Sequence, residues 1–305
     1  MSTLGTLFSM TMAAQTLRAS VPYVLAAQGG VWSERSGVVN VALEGTMLVG
    51  GLVSVAAALA TGSLAAGIAM AAVVGALVGL VHVCAVELGR VDGIVSGLAI
   101  NLAAAGGTRV LLRAWYGSSS NSPSLPGGET ASTGLALLGR ALIDPMTLVM
   151  VVVVIATPFV LQRTRLGLRV RGCGESPEVL RAAGVSVFRT RAIAVALGCG
   201  LAALGGAALA LEQRQFQSGM SGGRGFIALA AVVLAGWRPG RATLACAAFA
   251  VLDAVQVVLQ GQARAFEGLL QALPYLATLV ALVVLVRRRT SGGAPAALGR
   301  PERAS

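Results

Sequence analysis

Apolar residues fall in nine stretches, at 7–29, 38–60, 64–86, 93–112, 145–161, 192–212, 225–236, 241–260 and 268–286, joined by short polar connections. About 20 apolar residues at 1.5 Å per residue cross a hydrocarbon core, so the pattern predicts an all-α polytopic integral membrane protein with about 8–10 transmembrane segments. The first stretch is interrupted by Gln15 and Arg18. The seventh is short and is bounded by Gly225 and the turn-forming Pro239-Gly240. It is expected to be a broken or re-entrant helix lining a cavity, because irregular backbone at membrane depth is tolerated only where protein or water covers it.

Composition agrees with the pattern. The 305 residues are 56% hydrophobic and 11% charged, with a mean hydropathy of +0.81, far from the roughly 25% charged of a soluble domain. Forty glycines let helix backbones approach closely. The net charge of +11 is carried entirely by arginine, since the chain contains no lysine. Those arginines cluster at the ends of apolar stretches, which points to membrane topology rather than nucleic-acid binding. Loop 162–191 holds seven Arg against Glu175 and Glu178, and the tail 287–305 holds five Arg against Glu302. Both are expected in the cytoplasm, which puts the connections 30–37, 87–92 and 237–241 on the same side. Loop 113–143, rich in Ser, Gly and Pro, is expected outside, and nothing in it suggests a separate domain.

Several chemistries lack their residues. With one histidine, His82, and few carboxylates in the apolar stretches, no catalytic cluster can be assembled. His82 and Cys84 read as a polar tip and a small residue in a packed helix, and none of the four cysteines has metal-ligand spacing. A phosphate-binding P-loop needs a lysine, which is absent, so 218–226, SGMSGGRGF, reads as a flexible entry to the short seventh helix rather than a nucleotide site.

The polar residues that do enter apolar sequence are therefore the candidates for function. In 37–51, GVVNVALEGTMLVGG, Asn40 and Glu44 lie four residues apart and share a helix face. Two roles compete for Glu44. It is either protonated or paired with Arg35 or Arg18 and capping backbone at a broken helix, or it lines a solute path with Asn40. Asn101, in a stretch of small residues, and Asp253 with Gln256 and Gln260 on one stripe, are further path candidates; the stripe suits helix packing equally. In loop 162–191, Ser176 as N-cap, Pro177 at the first position, Glu178 in the first turn and Gly184 after the last predict one short helix, SPEVLRAAG.

The runs SERSGVVNVALEGTMLVGG (33–51), VDGIVSGLAINLAAAGGTRVLL (91–112), GLRVRGCGESPEVLRAAGVSVFRTR (167–191), GGRGFIALAAVVLAGWRPGRA (222–242) and LPYLATLVALVVL (273–285) resemble, in that order, permease subunits of ABC importers. The similarity is to the branched-chain amino acid and simple sugar permease superfamily, nearest its nucleoside branch. It implies a type II importer fold in a single transmembrane domain, 1–286, with a cytoplasmic coupling loop at 162–191 and a basic tail, 287–305, without fixed structure. It also implies a second, different permease chain, two ATPase subunits that bind ATP and Mg, and an extracellular substrate-binding lipoprotein, in the cytoplasmic membrane. This chain would then bind no cofactor and catalyse nothing. Glu178, Ala182, Ala183 and Gly184 match the family's ATPase-coupling loop, with Glu175 and Pro177 beside them. No substrate-contacting residue carries over. An ion-coupled secondary transporter is the rival class, and Glu44 and Asp253 are the only carboxylates placed to serve it.

Overall fold

In a computed structural model, residues 10–126, 134–259, 276 and 293–299 are described, and these contain eleven helices and no strand. They are α1 Met10–Arg35, α2 Leu43–Thr61, α3 Leu64–Glu87, α4 Gly93–Tyr116, α5 Gly134–Ile143, α6 Pro145–Arg163, α7 Arg165–Glu175, α8 Pro177–Ala182, α9 Val187–Glu212, α10 Arg224–Leu234 and α11 Pro239–Leu259. Six of them, α2, α3, α4, α6, α9 and α11, are long and apolar enough to cross a membrane. The ninth apolar stretch, 268–286, and Gln260 lie outside the described residues, apart from Leu276.

Helix starts follow local chemistry. Asp92 and Asp144 each accept two backbone N–H bonds at the heads of α4 and α6, and Ser63, Thr164 and Ser186 cap α3, α7 and α9 with their hydroxyls. Such caps satisfy donors that a helix leaves open.

The core is built around α1, whose residues from Ser20 to Glu34 are all buried. This explains why its hydropathy is broken by polar residues: α1 faces protein rather than lipid. Gln28 donates to the Pro239 carbonyl and the Thr243 hydroxyl, and Trp32 to the Thr157 hydroxyl. The Ala- and Gly-rich α9 packs on α1, α2 and α3. A Cβ on Gly29 would strike the Gly198 backbone, one on Gly198 would strike Gly29, and one on Gly206 would enter the Met47 carbonyl. Gly206→Leu is accordingly expected to push α9 off α2 and to cost about 1–3 kcal/mol or more, seen as a lower unfolding temperature of the solubilised protein. The outward faces of α3 and α6 are apolar, with Val73, Leu77, Val152, Ile155 and Phe159 exposed, as lipid contact requires.

Four departures from the sequence expectations have physical causes. The second apolar stretch does not become one helix from 38 to 60, because residues 36–42 are unwound. Loop 113–143 contains helix α5, and its segment 118–126 pairs with 213–218 through Ser122 N–H to the Phe216 carbonyl at 2.9 Å and Leu125 N–H to the Arg214 carbonyl at 2.7 Å. Loop 162–191 holds two helices rather than one: Thr164 caps α7 before Pro177 starts α8. In the tail, residues 293–299 form a turn docked on the bundle, with Ala297 N–H on the Gly174 carbonyl at 2.8 Å and Gly299 N–H on the Gly37 carbonyl at 2.9 Å.

Candidate functional site

The ends of α1, α3 and α10, the starts of α2, α9 and α11, and the pair α7–α8 meet at one end of the bundle, the hinge end. Arg191, in the first turns of α9, is fully buried and ties three of these pieces together. It donates through Nη1 to Glu87 Oε1 at 2.5 Å and through Nε to the Ser36 carbonyl at 3.1 Å. Trp237, just past α10, donates its indole N–H to Glu34 at the end of α1.

Between α1 and α2 the unwound residues 36–42 run into the bundle, and their backbone groups need partners because no helix supplies them. Side chains provide those partners. The Val39 carbonyl lies 3.0 Å from His82 Nε2, whose Nδ1 is 2.9 Å from the Ser96 hydroxyl. The Val41 carbonyl accepts from Asn101 Nδ2 at 3.0 Å, and Asn101 Oδ1 accepts from Gly45 N–H at 2.7 Å. Asn40 Oδ1 accepts from Ala42 N–H at 3.2 Å, while its Nδ2 donates to the Ser33 hydroxyl at 2.9 Å and to Cys199 Sγ at 3.3 Å. Asn101 stands eight residues into α4, so this irregular segment penetrates about 12 Å beyond the start of α4.

One turn deeper, Glu44 meets the second break in the fold. Its Oε1 accepts from the Ser221 hydroxyl at 2.5 Å and from Gly223 N–H at 2.8 Å, and its Oε2 accepts from Gly225 N–H at 2.8 Å. Gly222 and Gly223 have φ of +53° and +82°, a backbone open to glycine that turns these N–H groups toward the carboxyl. Glu44 therefore caps the first turn of α10, where a helix presents free donors and positive potential. Of the two arginine partners expected for it, Arg18 instead lies 3.9 Å from Glu212.

Arg224, the first residue of α10, donates through Nη2 to Asp253 Oδ2 on α11 at 3.0 Å, and its guanidinium lies 5.9 Å from the centre of the Tyr23 ring. The turn 221–225 is thus held between two of the predicted path residues, Glu44 on one side and Asp253 on the other. Asn40 and Asn101 lie at the neighbouring hinge, and Gln256, half-buried, is on α11 one turn beyond Asp253. Away from all of these, Pro177, Glu178, Ala182, Ala183 and Gly184 occupy α8 and its end, none of α8 is buried, and Gly184 takes φ +76°. Glu175, closing α7, accepts from Ala296 N–H at 3.4 Å.

The sequence does not single out Arg191, Glu87, Glu34, Trp237 or Arg224, and it gives His82 only as a polar tip in a packed helix. In the sequence, Arg191 reads as a topology charge and Arg224 as part of a Gly-rich run. Their signal was present: each is a polar or indole side chain at or inside the edge of an apolar stretch, where an unpaired polar group is costly.

A bundle with six helices long and apolar enough to cross a membrane and two helix breaks, one held by buried Asn40 and His82 and the other by half-buried Glu44, fits a multi-pass membrane permease. The chain belongs to the family described as the branched-chain amino acid transport system permease component, whose profile matches residues 12–287. It is 33% identical to the guanosine ABC transporter permease protein NupQ of Bacillus subtilis, over 94% of each chain. It is 31% identical to the nucleoside ABC transporter permease protein NupC of Lactococcus lactis, over 88% of this chain and 89% of that one. It is 32% identical to the putative glucose ABC transporter permease protein TsgC13 of Haloferax volcanii, over 90% and 92%. No solved structure matches the chain. As a member of this family, the protein is a transmembrane permease subunit of an ABC transporter.

Proposed function

We propose that this chain forms one half of the membrane path of an ATP-driven nucleoside importer in the cytoplasmic membrane. It works with a second, different permease chain, two ATPase subunits that bind ATP and Mg and carry out hydrolysis, and an extracellular substrate-binding lipoprotein. The observation that carries the cargo is the similarity, over 88% or more of this chain, to permeases named for guanosine and nucleosides in two organisms. Glucose is the second reading, favoured by the 32% identity to the putative glucose permease. The hinge end faces the cytoplasm, a reading supported by the seven arginines of loop 162–191.

The ATPase meets α7–α8. Leu168 and Val179 are exposed there, and apolar side chains left uncovered on short helices suit a partner's groove. Arg191 follows α8 closely and holds both Glu87 and the hinge backbone, so displacement of α7–α8 is transmitted to residues 36–42. Glu178→Arg, or Gly184→Val at a left-handed position that resists a β-branched side chain, is expected to lower uptake at least tenfold while ATP hydrolysis and membrane insertion persist. Unchanged uptake would refute the coupling role. The cargo is tested by uptake of radiolabelled guanosine into cells lacking and then regaining this chain, with ribose, glucose and branched-chain amino acids as competitors. Restoration competed by nucleosides alone is expected; competition by glucose would return the sugar reading.

A further inference from the structure

The Arg224–Asp253 pair is out of place for a purely structural ion pair. Arg224 opens the 11-residue α10, about 16 Å along that helix from its hinge end. Asp253 is fourteen residues into α11 and Tyr23 stands near the middle of the 26-residue α1. Three helices therefore put this pair inside the apolar span rather than at its rim. Yet the side chains remain 25% exposed for Arg224 and 12% exposed for Asp253. A charged group at that depth does not face acyl chains; it faces protein or a water-filled cavity. The neighbouring turn 221–225 is irregular and Gly-rich, which is also tolerated at depth only where the backbone is satisfied by protein or lines a cavity. Three of its donors are satisfied by Glu44, so the turn is a fixed mount for Arg224, whose Nη1 donates back to the Met220 and Ser221 carbonyls at 3.3 and 3.5 Å and whose guanidinium lies 5.9 Å from the centre of the Tyr23 ring.

We propose that Arg224 and Asp253 form a solute-contacting station in the translocation path, with the guanidinium donating to, and the carboxylate accepting from, one planar edge of the passing solute. An adjacent carbonyl acceptor and N–H donor, as on the edge of a 6-oxopurine, match this pair. Arg is the side chain whose flat fork suits such planar recognition. A sugar hydroxyl can use either group but does not need the two held side by side. The cargo part of this inference rests on the nucleoside reading above; the placement of the pair against water does not.

The test uses the complete transporter, all subunits, reconstituted in proteoliposomes. Arg224→Gln and Asp253→Asn are expected to raise KM for guanosine at least tenfold with kcat changed less than threefold and the unfolding temperature retained, and Arg224→Lys to recover part of the loss. Loss of kcat and of thermal stability with KM unchanged would make the pair structural only and overturn the proposal. In parallel, Gln256→Cys, in a chain whose four native cysteines are replaced by alanine, is treated with a membrane-impermeant cationic methanethiosulfonate. Labelling that guanosine slows is expected, with Ile155→Cys on the exposed face of α6 unlabelled as the lipid-facing control. Absence of labelling at Gln256→Cys would show that the stripe packs against protein and would also overturn the station. If wild-type vesicles carry ribose or glucose but no nucleoside, and sugar slows the labelling, the cargo reading fails while the station stands.

Discussion

Glu44→Ala is expected to abolish uptake while the chain still inserts in the membrane. The carboxyl serves three donors at once, the Ser221 hydroxyl and the N–H groups of Gly223 and Gly225. Losing the acceptor strands these groups within the apolar span, and each unsatisfied buried donor costs about 1–3 kcal/mol. The loss of stability should thus reach about 3 kcal/mol or more, less whatever water entering the space recovers. Glu44→Gln keeps one oxygen and turns an N–H₂ toward a remaining donor, so it should fall between wild type and alanine. Glu44→Asp, shorter by a methylene, should not reach all three groups. Thermal unfolding of the solubilised protein and uptake in cells check the series. A Glu44→Ala protein as stable as wild type would remove the capping role, and if that stable protein had lost uptake, Glu44 would return to the solute path. The consequence extends to Arg224, since its turn is held by Glu44.

The second large effect is expected at Arg191. Replacing it with methionine leaves Glu87 buried without its guanidinium and frees the Ser36 carbonyl. Breaking a buried pair from one side costs about 3–5 kcal/mol, whereas replacing both members with apolar residues of similar volume is often neutral. Arg191→Met should therefore be severely destabilised, and Arg191→Met with Glu87→Leu should regain most of the stability. Uptake separates the two functions of the pair. If Arg191 also transmits motion from α7–α8 to the hinge, the double variant should fold and hydrolyse ATP with its partners yet import poorly. Full recovery of uptake in the double variant would show that the pair serves stability alone.

Much of the fold was legible in the chain because spanning a membrane is a local property. Twenty apolar residues in a row specify a helix wherever they lie, and Pro177 announces a helix start. The short seventh stretch carried its own warning in Gly225 and Pro239, and it is the 11-residue α10. The boundaries that went astray did so for non-local reasons. Residues 38–42 are as apolar as the helix that follows, and they unwind because His82 and Asn101 from other helices take up their carbonyls. Helix α1 reads as an interrupted apolar stretch because polar residues are costly against lipid, whereas Gln28 and Glu34 meet partners more than 200 residues away.

The sequence by itself determined that this is a helical, multi-pass membrane protein, since hydropathy and capping motifs act over one or two helical turns and need no knowledge of neighbours, while the permease class came from its resemblance to known permeases. Only the tertiary structure decided what the intramembrane polar residues do. Glu44 finds its donors 177–181 residues away and Asp253 its arginine 29 residues away, and Arg191 closes on Glu87 across 104 residues. A buried polar group is fixed by whichever partner the packing brings within about 3 Å, and that partner is a property of the assembled bundle.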